Sequence, residues 1–433
     1  MFDVGSPASP GTAAGRCSVT GMPNDDATTS GTPDDTGAGT SGPTRKELRA
    51  QRVGGSRTTW YVLGGVAVLV LVGVVVAVVA AGSPTSKKVV PPTTTTSTVP
   101  AVVATCPLTG TPAPGGVVPA RPAVAVKIGN YTADRPSAGL NQADVVVEEP
   151  VEGSYTRLVA VFHCQSPTLV GDVRSARQPD VGILSQLSNP VFVHAGGINP
   201  VLNLLANAPI QDKNLLEGGM GSITLHPNGR YAPYSTFTNT GAVWATVPGD
   251  TAPPAPIFTF TPAPQAGSVP GSGIAVHVPF STEADVTWTW NPPTSSYLRS
   301  YSGVADKLLD GSQTAASNVV VMTVPTSIGP WYENSEGGRE VQVNAIGSGP
   351  VVVVRDGMAI TGTWARSSLT QPATLTAADG TPITLHPGTT WIELAPQGIP
   401  VTTTAAPPPP APTTTSPSRT TATSRSTPPT TRG

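Results

Sequence analysis

AVAVKIGNYTADRPSAGLNQADVVVEEPVEGSYTRLVAVFH, residues 123–163, holds three runs that read as strands. AVAVKIG (123–129) is short and apolar, ADVVVEEP (143–150) is a second run, and SYTRLVAVFH (154–163) alternates apolar with polar residues. After a turn, VGILSQLSN (181–189) has helical spacing, and VFVHAGG (191–197) reads as a buried strand ending in a glycine turn. Asn199-Pro200 predicts a helix start, with Asn199 as N-cap, Pro200 at the first helical position, and Val201, Leu202, Leu204 and Leu205 on the apolar face. Strand-helix alternation of this kind calls for packed layers of sheet and helix.

A Pro/Gly-rich stretch, TPAPQAGSVPGSG (261–273), separates this first domain (105–262) from a second (274–397). The second is mostly strand: IAVHVPF, VTWTW, NVVVMTV, REVQVNAI, PVVVVRDG, ATLTAADG and TWIELAP. Asp356-Gly357 and Asp379-Gly380 are hairpin-type turns. The predicted fold class is α+β, a mixed α/β first domain followed by a small, mostly antiparallel β domain.

Flanking segments differ in kind. Residues 1–59 are rich in Gly, Ser, Thr, Pro and Asp and predict disorder, with a basic stretch, RKELRAQR (45–52), near the end. WYVLGGVAVLVLVGVVVAVVAAG (60–82) carries no charge. As a helix it spans about 34 Å, enough for a hydrocarbon core of about 30 Å. Five cations precede it (Arg45, Lys46, Arg49, Arg52, Arg57) and only Lys87 and Lys88 follow closely, which predicts a cytoplasmic N-terminus and extracytoplasmic domains. Val79-Ala80-Ala81 has the small residues of a cleavage site, but the long leader and long apolar run favour a retained anchor. The Thr/Pro segments 83–104 and 398–433 read as an extended linker and a disordered tail, either bearing sugars on Thr or acting as spacers.

The net charge is −2, so no overall field recruits nucleic acid. The three cysteines, Cys17, Cys106 and Cys164, show no zinc spacing, and no metal or cofactor is expected. Cys106 and Cys164 both fall outside the predicted membrane span, where an oxidising compartment permits a disulfide; the alternative is two buried thiols.

Unusual polar residues concentrate in the first domain. Glu148, Glu149 and Glu152 close one strand, Arg157 lies on the next, Arg174, Ser175 and Arg177 fall in VRSAR, and His194 precedes Gly196 and Gly197. Strand, glycine turn and helix start together make a frequent anion site, and paired arginines add bidentate contacts. The expected ligand-binding set is therefore Arg157, Arg174, Ser175, Arg177, His194, Gly196, Gly197 and Asn199. A catalytic alternative uses Glu148 or Glu152 with His194 as acid and base. No GxSxG, SxxK, HExxH or Walker-type sequence is present.

RPAVAVKIGN (121–130), the run 135–162, GDVRSARQPD (171–180) and FVHAGG (192–197) resemble the DUF3048 family of YerB-like extracytoplasmic proteins, and GSGPVVVVRDGMAITGTWAR (347–366) with LHPGTTWIELAP (385–396) is similar to its C-terminal domain. The resemblance implies a two-domain envelope protein without a defined catalytic set. Two departures stand out: a transmembrane segment in place of a lipoprotein anchor, and APYSTF (232–237) where the family carries an APHNLY-like segment. The leading expectation is a non-catalytic envelope module that binds an anionic cell-wall component or a protein partner. An envelope hydrolase or transferase, and a scaffold for wall-synthesis enzymes, are the rivals.

Overall fold

The computed structural model describes residues 103–407, except Glu336, together with Gly433. The expected N-terminal region, membrane span, most of the linker (83–102) and most of the tail (408–432) lie outside the described residues. Among the described residues no helix is long and apolar enough to cross a membrane.

The architecture is α+β and mostly β. Its centre is a sheet of ten strands drawn from both halves of the chain. The first half supplies β1 (Val124–Gly129), β2 (Val145–Pro150), β3 (Thr156–Phe162), β5 (Val191–His194) and β6 (Gln211–Asn214). The second supplies β14 (Asn318–Val324), β17 (Gly347–Arg355), β18 (Met358–Arg366), β19 (Thr374–Ala377) and β20 (Thr390–Pro396). The order is β19-β18-β17-β14-β20-β2-β3-β1-β5-β6. Three short strands, β4 (Val170–Gly171), β7 (Thr224–Leu225) and β8 (Phe237–Thr238), form a side sheet.

A second large sheet contains β9 (Ala275–Pro279), β10 (Asp285–Asn291), β11 (Ser296–Tyr301), β12 (Val304–Ala305), β13 (Ala315–Ala316) and β21 (Thr402–Thr404). β15 (Thr326–Tyr332) and β16 (Arg339–Val343) form a separate hairpin.

Three expectations are corrected here. The later half is not a self-contained antiparallel unit, because β20 lies parallel between β14 and β2, with Val145 opposite Thr390 and Glu148 opposite Glu393. Local alternation marks TWIELAP as a strand but carries no information about its neighbours. The tail is ordered at its start, since Thr402–Thr404 pairs with β9. The helix read at 181–189 runs instead from Pro179 to Leu184, and Ser188 and Asn189 take left-handed backbone angles.

Side chains alternate across a strand, so the ten-stranded sheet buries both faces. Val126, Ile128, Val146, Leu158 and Trp391 face the second sheet, where Trp288 meets Trp391 edge-on at 4.9 Å. Ala125, Val147, Val159 and Ile392 face the other way, where helices Pro179–Leu184 and Asn199–Ala206 cover them with Ile183, Leu184, Val201 and Leu205. The Asp356-Gly357 turn joins β17 to β18 with both residues at positive φ (53° and 72°), as a two-residue hairpin turn demands. A disulfide joins Cys106 to Cys164 across a Cα separation of 6.1 Å.

Candidate functional site

Strands β1, β2, β5 and β6 all point their carboxyl ends the same way, the edge where open sheets with parallel strands place ligands. The VRSAR segment wedges between two of these ends. Arg174 N–H donates to Lys127 O, while Ala195 N–H donates to Arg174 O and Ala176 N–H to Gly196 O, each at 2.9 Å. That placement brings Arg177 against Glu152. Arg177 Nε donates to Glu152 Oε2 at 2.8 Å and Nη2 donates to Oε1, a bidentate pair. Arg177 Nη1 donates to Ala176 O at 2.8 Å and lies 3.3 Å from Glu333 Oε2, carried in on the β15–β16 hairpin. Arg157 Nη1 donates to Ser175 O at 2.9 Å and its Nη2 lies 3.4 Å from Glu152 Oε1.

Burial pushes the Glu152 carboxyl up, but the Arg177 hydrogen bonds and the charges of Arg157 and Arg177 outweigh it and hold the pKa at about 2. Burial likewise raises Glu333, with Arg177 opposing it. Arg157 falls to about 10, chiefly from burial and next from Arg177. These cations are therefore committed to internal partners, and Arg177 is only 5% exposed. It braces the fold and does not offer its fork to a ligand.

The other predicted residues are placed as follows. His194 is fully buried, with Nδ1 2.8 Å from Gly196 O and Nε2 2.6 Å from Asp212 Oδ1. Gly196 has φ 79° and gives its N–H to Asn214 Oδ1, so this amide is already taken. Gly197 packs near Leu202. Asn199 is the first helical residue; Ile198 holds the cap position and no side chain caps the helix. Leu204 is exposed, because the buried stripe of this short helix narrows to Val201 and Leu205. Glu148 faces the opposite side of the sheet from Glu149, accepting from Thr156 at 2.6 Å, Asn130 at 3.0 Å and Arg299 at 2.7 Å. Glu148, Glu152 and His194 thus sit in three separate networks and form no acid–base constellation.

A different arginine is open. Arg135 lies with its guanidinium 3.6 Å over the Tyr301 ring and has no hydrogen-bond acceptor among the described residues. Its surroundings are rigidly tied. Arg230 Nη1 donates to Asp134 O at 3.0 Å and Tyr234 O at 3.3 Å, its Nη2 donates to Pro136 O, and Arg174 Nη1 donates to Pro233 O at 2.7 Å. Between loops 133–136 and 229–234 lies a cleft of about 550 Å³ whose lining includes Arg135, Arg230, Tyr231 and Tyr234 and no carboxylate. A second cleft of about 460 Å³, lined by Tyr301 and Lys307 and also by the carboxylates Glu283 and Asp306, opens on Arg135 from the other side. Arg135 opens the run 135–162 that resembles the family, but its local sequence gives no sign of a binding role. What distinguishes Arg135 is the stacking on a tyrosine from β11, far along the chain. APYSTF contributes Tyr234 to this cleft, so the departure from the family pattern falls on its wall.

Residues 108–252 match the family described as "Protein of unknown function (DUF3048) N-terminal domain", and residues 276–392 match the DUF3048 C-terminal domain. The chain is 46% identical over 90 residues to "Putative lipoprotein YerB" of Bacillus subtilis (strain 168), a stretch covering 21% of this chain and 27% of that protein. The chain thus spans about a quarter of that relative's length by sequence. The crystal structure of the YerB protein from Bacillus subtilis superposes with a TM-score of 0.58 at 24% identity, covering 67% of this chain and 96% of that one, which shows a shared fold. With both domain matches in order along the described core, this chain belongs to the DUF3048 family.

Proposed function

We propose that this chain is a membrane-anchored, extracytoplasmic accessory protein of the cell envelope that binds an anionic cell-wall component through the Arg135 cleft. The lipoprotein name of its Bacillus relative supports an envelope setting. So do the uncharged segment 60–82, with its cationic N-terminal flank, and the Cys106–Cys164 disulfide. The observation that carries the binding reading is Arg135. A guanidinium already held 3.6 Å over an aromatic ring needs little further ordering to meet an anion, and Arg230 adds a second charge on the side of the 133–136 and 229–234 loops, where no carboxylate lines the cleft.

The test is a titration of the full chain with soluble anionic wall fragments, at two salt concentrations. A charge-assisted hydrogen bond contributes about 1.5–3 kcal/mol, so Arg135→Ala weakens binding roughly tenfold or more while the melting temperature holds. Equal binding by wild type and Arg135→Ala refutes the cleft. Arg177→Ala is the wrong probe, because it breaks an internal pair.

A further inference from the structure

A separate groove, of about 550 Å³, lies between the first-half helix Pro179–Leu184 and the base of the β15–β16 hairpin. Arg366, the last residue of β18, lines it. This side chain is 5% exposed, donates Nε to Gln371 O at 2.7 Å and Nη2 to Leu369 O, and leaves Nη1 without an acceptor among the described residues. Burial lowers its pKa, and it forms no salt bridge among the described residues. A buried cation lacking a counter-charge is costly, and such charges are otherwise paired.

Gln178, on the facing wall, supplies the complementary gap: its Oε1 is buried and accepts nothing. The groove therefore presents a cation with one uncommitted nitrogen and a buried neutral acceptor without a partner. Around them stand Gln342 and Asn344, side-chain amides, and the rings of Pro179 and Pro325. No aromatic ring and no carboxylate belongs to the lining. Without a ring to carry the apolar face of a sugar, the groove suits peptide units better than a saccharide.

We propose that this groove takes the C-terminal end of an extended peptide, its free α-carboxylate on Arg366 and its neighbouring amide N–H on Gln178. The site is distinct from the Arg135 cleft and stands or falls without it.

Calorimetry on the purified full-length chain tests this with N-acetyl-trialanine as the free acid and as the C-terminal amide. The acid binds, and the amide binds at least about tenfold more weakly, because it offers no charge to the guanidinium. Arg366→Lys, which keeps the charge but loses the fork, weakens the acid by a similar factor and leaves the amide unchanged. If Arg366→Lys lowers the melting temperature, Gln178→Ala carries the test, and it too weakens the acid. Arg135→Ala leaves this binding intact. Equal affinity for acid and amide, no saturable binding at millimolar acid, or displacement of the acid by a galacturonate trisaccharide each overturns the proposal.

Discussion

Lys127→Met tests the physical account of the core most directly. In the folded chain Lys127 Nζ donates to Glu149 Oε1 and, at 2.7 Å, to Asp180 Oδ1, and all three side chains are fully buried. Methionine keeps the length and apolar stem, so packing changes little. What disappears is the cation that bridges the two carboxylates. Asp180 Oδ2 still accepts the Arg177 N–H, but Glu149 Oε2 already lacks a partner, so Glu149 is left wholly without one. Removing one member of a buried pair costs about 3–5 kcal/mol, a large share of the roughly 5–15 kcal/mol that hold a typical domain. The loss depends on pH. Burial pushes Glu149 up to about 7, with Lys127 pulling down and Asp180 pushing up, and losing Lys127 raises it further. A carboxyl whose folded pKa exceeds its unfolded value loses stability as pH rises between the two. The deficit of Lys127→Met therefore grows as pH rises above about 7 and sits at a floor below it, where Glu149 is protonated with or without the cation. Urea unfolding at pH 8 and pH 5, followed by fluorescence of the buried Trp288 and Trp391, measures both. A deficit under about 1 kcal/mol at pH 8, or one that grows on acidification, refutes the reasoning.

Three further outcomes follow from the same geometry. Replacing Cys106 and Cys164 by serine opens a loop with a sequence separation of 58 and costs up to about 4 kcal/mol in the chain-entropy picture, visible as a lower melting temperature that reductant no longer changes. Glu152 is held at about 2, so the stability it contributes is present above its unfolded value near 4.5 and is lost as pH falls through that window; Glu152→Gln is less stable at pH 7 and has a flatter acid limb in a melting profile. A fragment ending at residue 262 lacks β20 and the whole second sheet, leaving β2 unpaired on one side and the β1–β3 face uncovered; its amide spectrum lacks the dispersion of a fold, and a well-dispersed spectrum contradicts the shared-sheet account.

The parts legible in sequence are those specified by neighbours along the chain. AVAVKIG, VVVEEP and VFVH announce strands because apolar and β-branched runs fit a sheet buried on both faces, and Asp356-Gly357 marks a turn that only positive φ can close. The Glu152–Arg177 neighbourhood was also visible, as a crowd of charges. Whether those charges would serve a ligand or each other was not, because the answer depends on Glu333 arriving on a hairpin from the other half. The insertion of β20 beside β2, the Arg135–Tyr301 stack and the Arg366–Gln178 groove are likewise products of distant segments meeting. QDKN carries almost no strand signal of its own, and TTT, though β-branched, stands in a Thr/Pro-rich run that reads as a tail; both become strands at sheet edges that neighbours define.

The consecutive pair Glu148-Glu149 shows why such distant contacts are written into the core as charges. Successive residues of β2 point to opposite faces, so Glu149 meets Lys127 and Asp180 under the helices, while Glu148 meets Arg299 of β11 against the second sheet. Glu393 stands opposite Glu148 in register; burial and then Glu148 itself raise its carboxyl well above the ordinary range, which favours its neutral form, and it accepts from Trp288 Nε1 at 2.7 Å. Arg299 is left to balance Glu148 and Asp306, the latter at 2.6 Å. Buried pairs of this kind add little stability over apolar residues of equal volume. Their effect is on register. A one-residue slip of β2 would exchange the two faces, strand Glu148 under the helices away from Arg299, and drive Glu149 against the Trp288–Trp391 contact. A slip in a purely valine strand would cost only packing, whereas here it leaves several buried charges unpaired, so the parallel seam that unites the two halves of the chain admits one alignment.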